Sequence, residues 1–306
     1  MSQAVFINGS QVSASPSVLT YTENASGRCD TLFATFPDAS GELGALGIEK
    51  GQEMEAVSGS IETGRMYISE VQWGGGAVSI KAASAPGTLM EQNASWEKAS
   101  FGEIIKDIAE EAGLALSVMH PLDVHYESVA RLEMPPLEFL HERLLLESYA
   151  FRVRDGSIEV YDERIAENAQ HEQQLWTGDF LKGLSCLTSD AGLVAAVYNS
   201  CLTSDGRVIQ TYVQSGLPGK TLRRTMTASS IDESERFSKG VMRAANKNEF
   251  ITEGAISGLD YRAGQTVWLV DAPHGHDGLN YVQRIQNDLI GGTQALSMRK
   301  PIAGGY

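Results

Sequence analysis

The chain has 306 residues, 42% of them hydrophobic, with 39 acidic against 24 basic side chains and a net charge of −15. At about 100–200 residues per domain this length suggests two or three domains, and the apolar share supplies real cores rather than global disorder. The acidity argues against nucleic-acid binding through phosphate contacts and against adhesion to anionic membranes, because no Lys/Arg stripe offsets it.

Residues 1–88 read as short strands: AVFING, SVLTYTE, TLFATFP, EMEAVSG, RMYISEV and AVSIKAA. Turn residues such as Asn8-Gly9, Ser26-Gly27 and Ser40-Gly41 separate them. Strands at this spacing predict a small barrel or sandwich. At Ser100 the period changes. Ser100 and Glu103 form the S-x-x-E capping-box pattern, and Phe101, Ile104, Ile105, Ile108 and Ala112 fall on one helical face that Gly113 ends. LALSV follows as a strand. A second helix is expected from Pro136, where a proline costs no hydrogen bond, with Leu137, Leu140, Leu144 and Leu145 as its apolar stripe. FRVRDGSIEVY reads as a hairpin turning at Asp155-Gly156. The stretch from Glu163 to Gln174 is polar and weakly patterned, as a linker would be. Strands resume with GLVAAVYNS and RVIQTYV. A third helix is predicted from Asp232 to Asn248, with Phe237, Val241 and Ala244 on one face.

The C-terminal segment repeats an earlier one. Gly51, Gln52 and Val57 match Gly264, Gln265 and Val270; Gly64, Tyr67 and Gln72 match Gly278, Tyr281 and Gln286, with one residue inserted between the blocks. Ile68 and Val71 match Val282 and Ile285, and the glycine turn at Gly74, Gly75 and Gly76 matches the pair Gly291 and Gly292. Order, spacing and turn glycines agree, which predicts two copies of one β-unit separated by other structure. The expected division is a first β-barrel over 1–88, an α/β segment over 89–170, and a second β-barrel with one helix over 171–306. The fold class is therefore mainly β with an α+β insert and two similar small barrels.

Chemistry-bearing motifs are thin. His274, His276, Asp277 and Asp271 lie together in DAPHGHDG, but a His-x-His in a hairpin loop lacks a further ligand element, and the expected role is a solvated turn. Cys29, Cys186 and Cys201 have no metal-ligand spacing and read as free thiols of a reducing compartment. Glu110/Glu111 and Asp232/Glu233 read as solvated charge. LPGK around Lys220 lacks the spacing of a phosphate-binding loop. Trp73, Trp96, Trp176 and Trp268 are scattered, most of them as core or interface anchors. No catalytic, cofactor-binding or metal residue is assigned, and no cofactor is expected. No apolar run nears the roughly 18 residues of a membrane span, so cytoplasmic synthesis without membrane insertion is expected.

Taken jointly and in order, several segments resemble the phage late control protein D family, the baseplate hubs of contractile tails. NASGRCDTLFATFPDASG, with Asp30 three residues after its Ser-Gly, is similar to that family's opening strand–turn–strand. AVSIKAASAP resembles the close of its first barrel. SWEKASFGEIIKDIAEEAGLALSV and PPLEFLHERLLLESYAF resemble its two helices, and ESERFSKGVMRAANKNEF and GQTVWLVDAPHGHDGLNYVQRI its last helix and closing strands. Cys29 departs from the commoner small residue, and residues 163–230 are the least similar. The resemblance implies a non-enzymatic homotrimer whose duplicated unit gives a pseudo-sixfold ring. Such a ring joins a threefold central spike to a sixfold tail tube or tube-initiator protein, among other baseplate proteins of a phage tail or tail-like bacteriocin. DNA or a tape-measure protein would pass through a lumen kept non-binding by acidic charge. The expected interfaces are exposed strand edges of the repeated units, with the glycine turns against the tube. The rival expectation is a small-ligand or carbohydrate-binding β-protein.

Overall fold

The computed structural model describes residues 3–87, 91–171, 173–203 and 206–302. The expected boundary at 88/89 falls outside the described residues. The first third holds β1 (Gln3–Ile7), β2 (Ser10–Gln11), β3 (Val18–Asn24), β4 (Thr31–Pro37), β5 (Glu53–Ser58), β6 (Ile61–Glu62), β7 (Met66–Gly74) and β8 (Ala77–Ala83). Then come β9 (Gln92–Ser100), α1 (Phe101–Glu111), β10 (Ala115–Val118), β11 (His125–Met134), α2 (Pro136–Leu146), β12 (Tyr149–Arg154), β13 (Ser157–Asp162) and α3 (Glu163–Glu167). The rest comprises β14 (Gln173–Trp176), β15 (Ser185–Thr188), β16 (Val194–Leu202), β17 (Val208–Gln214), β18 (Lys220–Arg224), α4 (Ile231–Asn246), β19 (Phe250–Ser257), β20 (Thr266–Val270), β21 (Gly278–Asp288) and β22 (Thr293–Arg299).

The protein is mainly β with an α+β insert, as expected. The duplication is present strand for strand. The first copy has the order β1-β5-β7-β8-β4-β3 and the second the order β14-β20-β21-β22-β19-β15. The bulge is duplicated too: the β7–β8 ladder slips between Ile68 and Glu70, and the β21–β22 ladder between Val282 and Arg284. Even the entry turn recurs atom for atom. Gly51 donates to the Ile68 carbonyl at 2.8 Å and Ile68 to that of Gln52 at 2.9 Å, while Gly264 donates to Val282 and Val282 to Gln265, both at 2.9 Å. The Gln52 and Gln265 side chains accept from the backbone three residues upstream, Glu49 and Arg262. Both turn glycines sit at positive φ, 87° and 92°, a region where a Cβ is strained. The copies differ in the sense of one pairing, β1 being antiparallel to β5 whereas β14 is parallel to β20, and in the short β2 and β6, which among the described residues only the first copy has.

Two separate closed barrels, however, do not form. β3 pairs with β21 at Arg284–Asp288, so both copies belong to one 14-stranded sheet, and among the described residues it does not close into a barrel. The physical reason is an edge. β20 covers only Gly278–Tyr281 of the long β21, which leaves the remainder free for the first copy's strand. One core fills the first copy around Leu19, Phe36, Met54 and Ile80. Another fills the second around Val267, Tyr281, Ile285 and Met298.

The insert follows its sequence signals closely. Ser100 and Glu103 form the full capping box, with Glu103 N–H donating to Ser100 Oγ at 3.2 Å and Ser100 N–H to Glu103 Oε2 at 2.7 Å. Phe101, Ile104, Ile105, Ile108 and Ala112 are all buried. On α2 the deeply buried residues are Phe139, Leu140 and Leu144, whereas Leu137 and Leu145 are only half-buried. The β12–β13 hairpin turns at Asp155-Gly156, both at positive φ. Unforeseen is the ribbon of β9 against β11, whose polar, bulged strands carry little alternation. α4 packs between α2 on one side and the small sheet of β16, β17 and β18 on the other. This is why its buried residues (Ser234, Phe237, Ser238, Met242 and Arg243 among them) do not form the single stripe expected of it.

Candidate functional site

The stretch expected to be a linker is instead the centre of the molecule's largest buried charge cluster. α3 starts where Asp162 caps the Arg164 N–H, and its two glutamates, Glu163 and Glu167, are fully enclosed. Glu167 forms an ion pair with Arg243 Nη2 of α4 at 2.6 Å and accepts from Arg299 of β22 and from the Ile302 N–H at 3.1 Å. Glu163 pairs with Arg299 Nη2 at 3.3 Å and with Lys247. Burial works to raise the Glu163 pKa, but Lys247 and Arg299 outweigh it and hold the carboxyl below its ordinary range. The Arg299 guanidinium also lies over the Tyr281 ring at 5.0 Å. These contacts tie the insert to the second copy. The stretch has the pattern of a linker because its partners lie more than sixty residues away in sequence.

A second polar centre sits where the two copies meet. Glu23 on β3 is buried and takes Arg154 of the insert at 2.6 Å, Arg262 at 3.4 Å and Asn287 Nδ2 of β21 at 3.3 Å. Beside it Asp30 accepts from Tyr21 Oη at 2.7 Å and the Asn24 N–H at 2.8 Å, while its own N–H donates to Ser84 Oγ at 3.0 Å. Burial pushes the Asp30 carboxyl up to about 6 against the pull of those donors. The same burial pushes the Cys29 thiol up to about 11, so it is a poor nucleophile.

The histidine loop is the solvated turn expected of it at Asp271, Pro273, His274, Gly275 and Asp277, but not at His276. His276 is 1% exposed, with Nδ1 2.7 Å from Thr252 Oγ1 and Nε2 3.1 Å from Thr188 Oγ1. Both ring nitrogens are thus engaged, and the ring meets Phe250 edge-on. Burial lowers its pKa. His276 therefore pins the loop beneath β15 and β19 rather than facing a ligand. His274 is not drawn in with it, and among the described residues no group of three His, Cys, Asp or Glu is placed to hold a metal. Glu233 corrects the solvated-charge reading as well: it is buried, accepts from Ser229 N–H at 2.7 Å and pairs with Arg143 at 3.6 Å. Glu111 binds the buried Arg131 at 2.8 Å. Trp73, Trp176 and Trp268 stand exposed; only Trp96 is anchored, stacked on Phe139 and bonded to Asp107.

One face of the large sheet is open across β19, β22, β21 and β3, where Glu253, Ala255, Ala295, Ser297, Gln286 and Thr20 line two confluent shallow grooves. Across β19, β22, β21, β3, β4, β8 and β7 its ionisable side chains, the buried Arg299 apart, are Glu253, Arg284, Asp288 and the pair Lys81–Glu70 at 2.8 Å. Among the described residues the sheet also leaves edges unpaired at β15 and along the second half of β7. Sequence reading found the repeats that build these edges but not the edges themselves, since strand order is not written locally. Among the described residues, no helix is long and apolar enough to cross a membrane.

No protein-family profile matches the chain, and no curated protein does. Solved structures match over almost its whole length. The 43 kDa tail protein of prophage MuSo2 from Shewanella oneidensis superposes with a TM-score of 0.77 at 11% identity, covering 98% of each chain. The tail protein from Neisseria meningitidis MC58 gives 0.75 at 11%, covering 97% of this chain and 96% of the other. An Escherichia coli component of the type VI secretion system, described as structurally similar to two bacteriophage T4 tail proteins, gives 0.64 at 13%, covering 99% and 78%. The fold is that of phage tail proteins.

Proposed function

We propose that the chain is a non-catalytic hub of a contractile tail or tail-like particle. Three copies form a pseudo-sixfold ring between a threefold central spike and a sixfold tube. The observation that carries this reading is the strand-for-strand duplication, joined in one sheet through β3 and β21. A trimer of such chains presents threefold symmetry to one neighbour and six near-equivalent units to the other. The tail-protein fold points the same way. In this reading the division is a first unit over 1–88, the α/β insert over 89–170 and a second unit over 171–306. The chain is made in the cytoplasm and assembled into the tail with the spike, the tube or its initiator, and other baseplate proteins.

The open sheet face is the natural lumen wall. It is close to charge-balanced and rich in Ser, Thr, Ala and Gln, which replaces the acidic wall expected from the net charge. A wall on which Arg284 and Lys81 are offset by Glu253, Asp288 and Glu70 offers DNA no basic stripe to hold. The test is a tagged pull-down from the producing cell, imaged by negative-stain electron microscopy. The reading expects tubes or sheathed particles tagged at one end. Soluble tagged monomers free of tube, sheath and spike proteins overturn it.

A further inference from the structure

Within the chain, β21 is shared by two strands along one edge: β20 pairs its first part, Gly278–Tyr281, and β3 its second, Arg284–Asp288. The first copy is built in the same order, so β7 has the corresponding edge. There β5 pairs only Met66 and Tyr67, and among the described residues no strand takes the same edge along Glu70–Gly74. The strand corresponding to β3 is β15, and its outer edge is also open, since it pairs with β19 alone. We propose that β15 of one copy adds antiparallel to the second half of β7 of another copy. This reproduces between copies the junction that β3 and β21 make within one. The inference rests on the ring reading above and supplies its contact.

The ladders fix the register. Tyr21 leads through Leu32 and Ala82 to Ile68. Cys186 leads through Thr252 and Met298 to Val282, the counterpart of Ile68. Cys186 therefore stands where Tyr21 stands in the internal junction. On the other strand, Trp73 stands where Asn287 stands, five residues past the same bulge. Because Tyr21 faces Asn287, Cys186 of one copy faces Trp73 of the next, Leu187 faces Gln72, and Thr188 faces Val71.

The side chains support this pairing. Tyr21 and Asn287 are wholly enclosed at the internal junction, whereas Trp73 is 46% and Leu187 55% exposed. Edge strands ordinarily carry charge to prevent pairing, yet along the proposed contact only Glu70 is charged, and the residue it faces is Ser189. Main-chain bonds would supply affinity, and Trp73 and Val71 the buried anchors. Each copy offers one edge of each kind, so the contact is head-to-tail and closes into a ring, in which internal and external junctions alternate.

The register can be tested with a native cysteine. Directly opposed residues of antiparallel strands have Cα atoms about 4.5–5.5 Å apart, within the roughly 4.4–6.8 Å that a disulfide spans. Trp73→Cys in the full chain, under mild oxidation, is expected to link to Cys186 of the next copy. Non-reducing gels should then show a ladder ending at three copies. Gln72→Cys, one residue away on the opposite face, should not link to Cys186, and Cys186→Ser should abolish the ladder. The Q72C/L187C pair in the C186S background should restore it. Circular dichroism checks that W73C is folded, and sedimentation of the wild type on the same preparations separates the two ideas. A trimeric wild type in which folded W73C stays unlinked, or Q72C links equally well, overturns the pairing and leaves the ring. A wild type that is monomeric at every concentration overturns both.

Discussion

Glu167→Gln tests whether the charge cluster clamps the insert to the second copy. The wild-type site gathers two carboxylates, two guanidinium groups and one ammonium group around Glu163 and Glu167. Glutamine keeps one acceptor oxygen for the Ile302 N–H or one guanidinium, but it removes half the negative charge. Arg243 and Arg299, both buried, then face each other across a single carboxylate. Removing one partner of a buried ion pair costs about 3–5 kcal/mol, because a desolvated charge is left uncompensated. For a chain of this size that is a fall in Tm of roughly 6–10 °C. The comparison is Glu110→Gln, which breaks the exposed Lys106–Glu110 pair at 3.7 Å and should cost about 0.3–0.5 kcal/mol. Calorimetry or urea unfolding reads both. The Glu167 loss should persist from about 0.1 M to about 1 M NaCl, because buried pairs escape a screening length that shrinks from about 10 to about 3 Å. If E167Q loses no more than E110Q, or if salt erases the difference, the clamp is not what holds the insert.

Asp30 makes stability depend on pH in an unusual direction. Its folded pKa, about 6, lies above that of an exposed aspartate. As pH rises from about 4 to about 6 the unfolded chain releases this proton while the folded chain keeps it. Stability therefore falls over that window, by roughly 2–3 kcal/mol. Asp30→Asn should remove that part of the slope, and parallel urea-midpoint profiles for the two proteins between pH 4 and 7 would refute it. Two helical glycines should respond with opposite signs to alanine. A Cβ on Gly240 would come within 2.3 Å of the Leu145 and Leu146 carbonyl oxygens, so G240A forces α4 from α2 at a cost of about 1–3 kcal/mol. Gly102 meets nothing within 4 Å, and G102A should stabilise α1 by up to about 1 kcal/mol. Equal Tm values for the two variants would contradict the close crossing.

Where a signal was local, the sequence carried the fold. The Ser100–Glu103 box, Pro136 at a helix start and Asp155-Gly156 at a turn each act over a few residues, and each appears where the pattern places it. The duplication was legible for a related reason. Gly51 and Gly264 need positive φ, and Gln52 and Gln265 tie the same turn, so chemistry preserved at matching spacing survived the drift of everything between. The misses share the opposite property. Glu163 and Glu167 look solvated until Arg243 and Arg299 arrive from other elements, and His276 looks like a loop residue until Thr188 and Thr252 close on it. The β9–β11 ribbon has too few apolar residues to alternate, because α1 and α2 complete its core from one side.

The same contrast explains why the sequence does not say which strand edges stay unpaired. The paired repeats imply two equivalent units, but which edges stay open depends on which strands each unit has already spent. β3 is consumed inside the chain by β21, whereas its counterpart β15 is left without a partner, and so is the counterpart edge on β7. That asymmetry arises from connectivity: β3 lies close enough to the second unit to be captured by it, and only another copy can supply its equivalent to the first. Exposed Trp73 then has a physical reason, since it occupies the position that Asn287 fills inside a completed sheet. Under the proposed pairing, a residue that reads as a misplaced core aromatic in one chain becomes a correctly placed one in the ring.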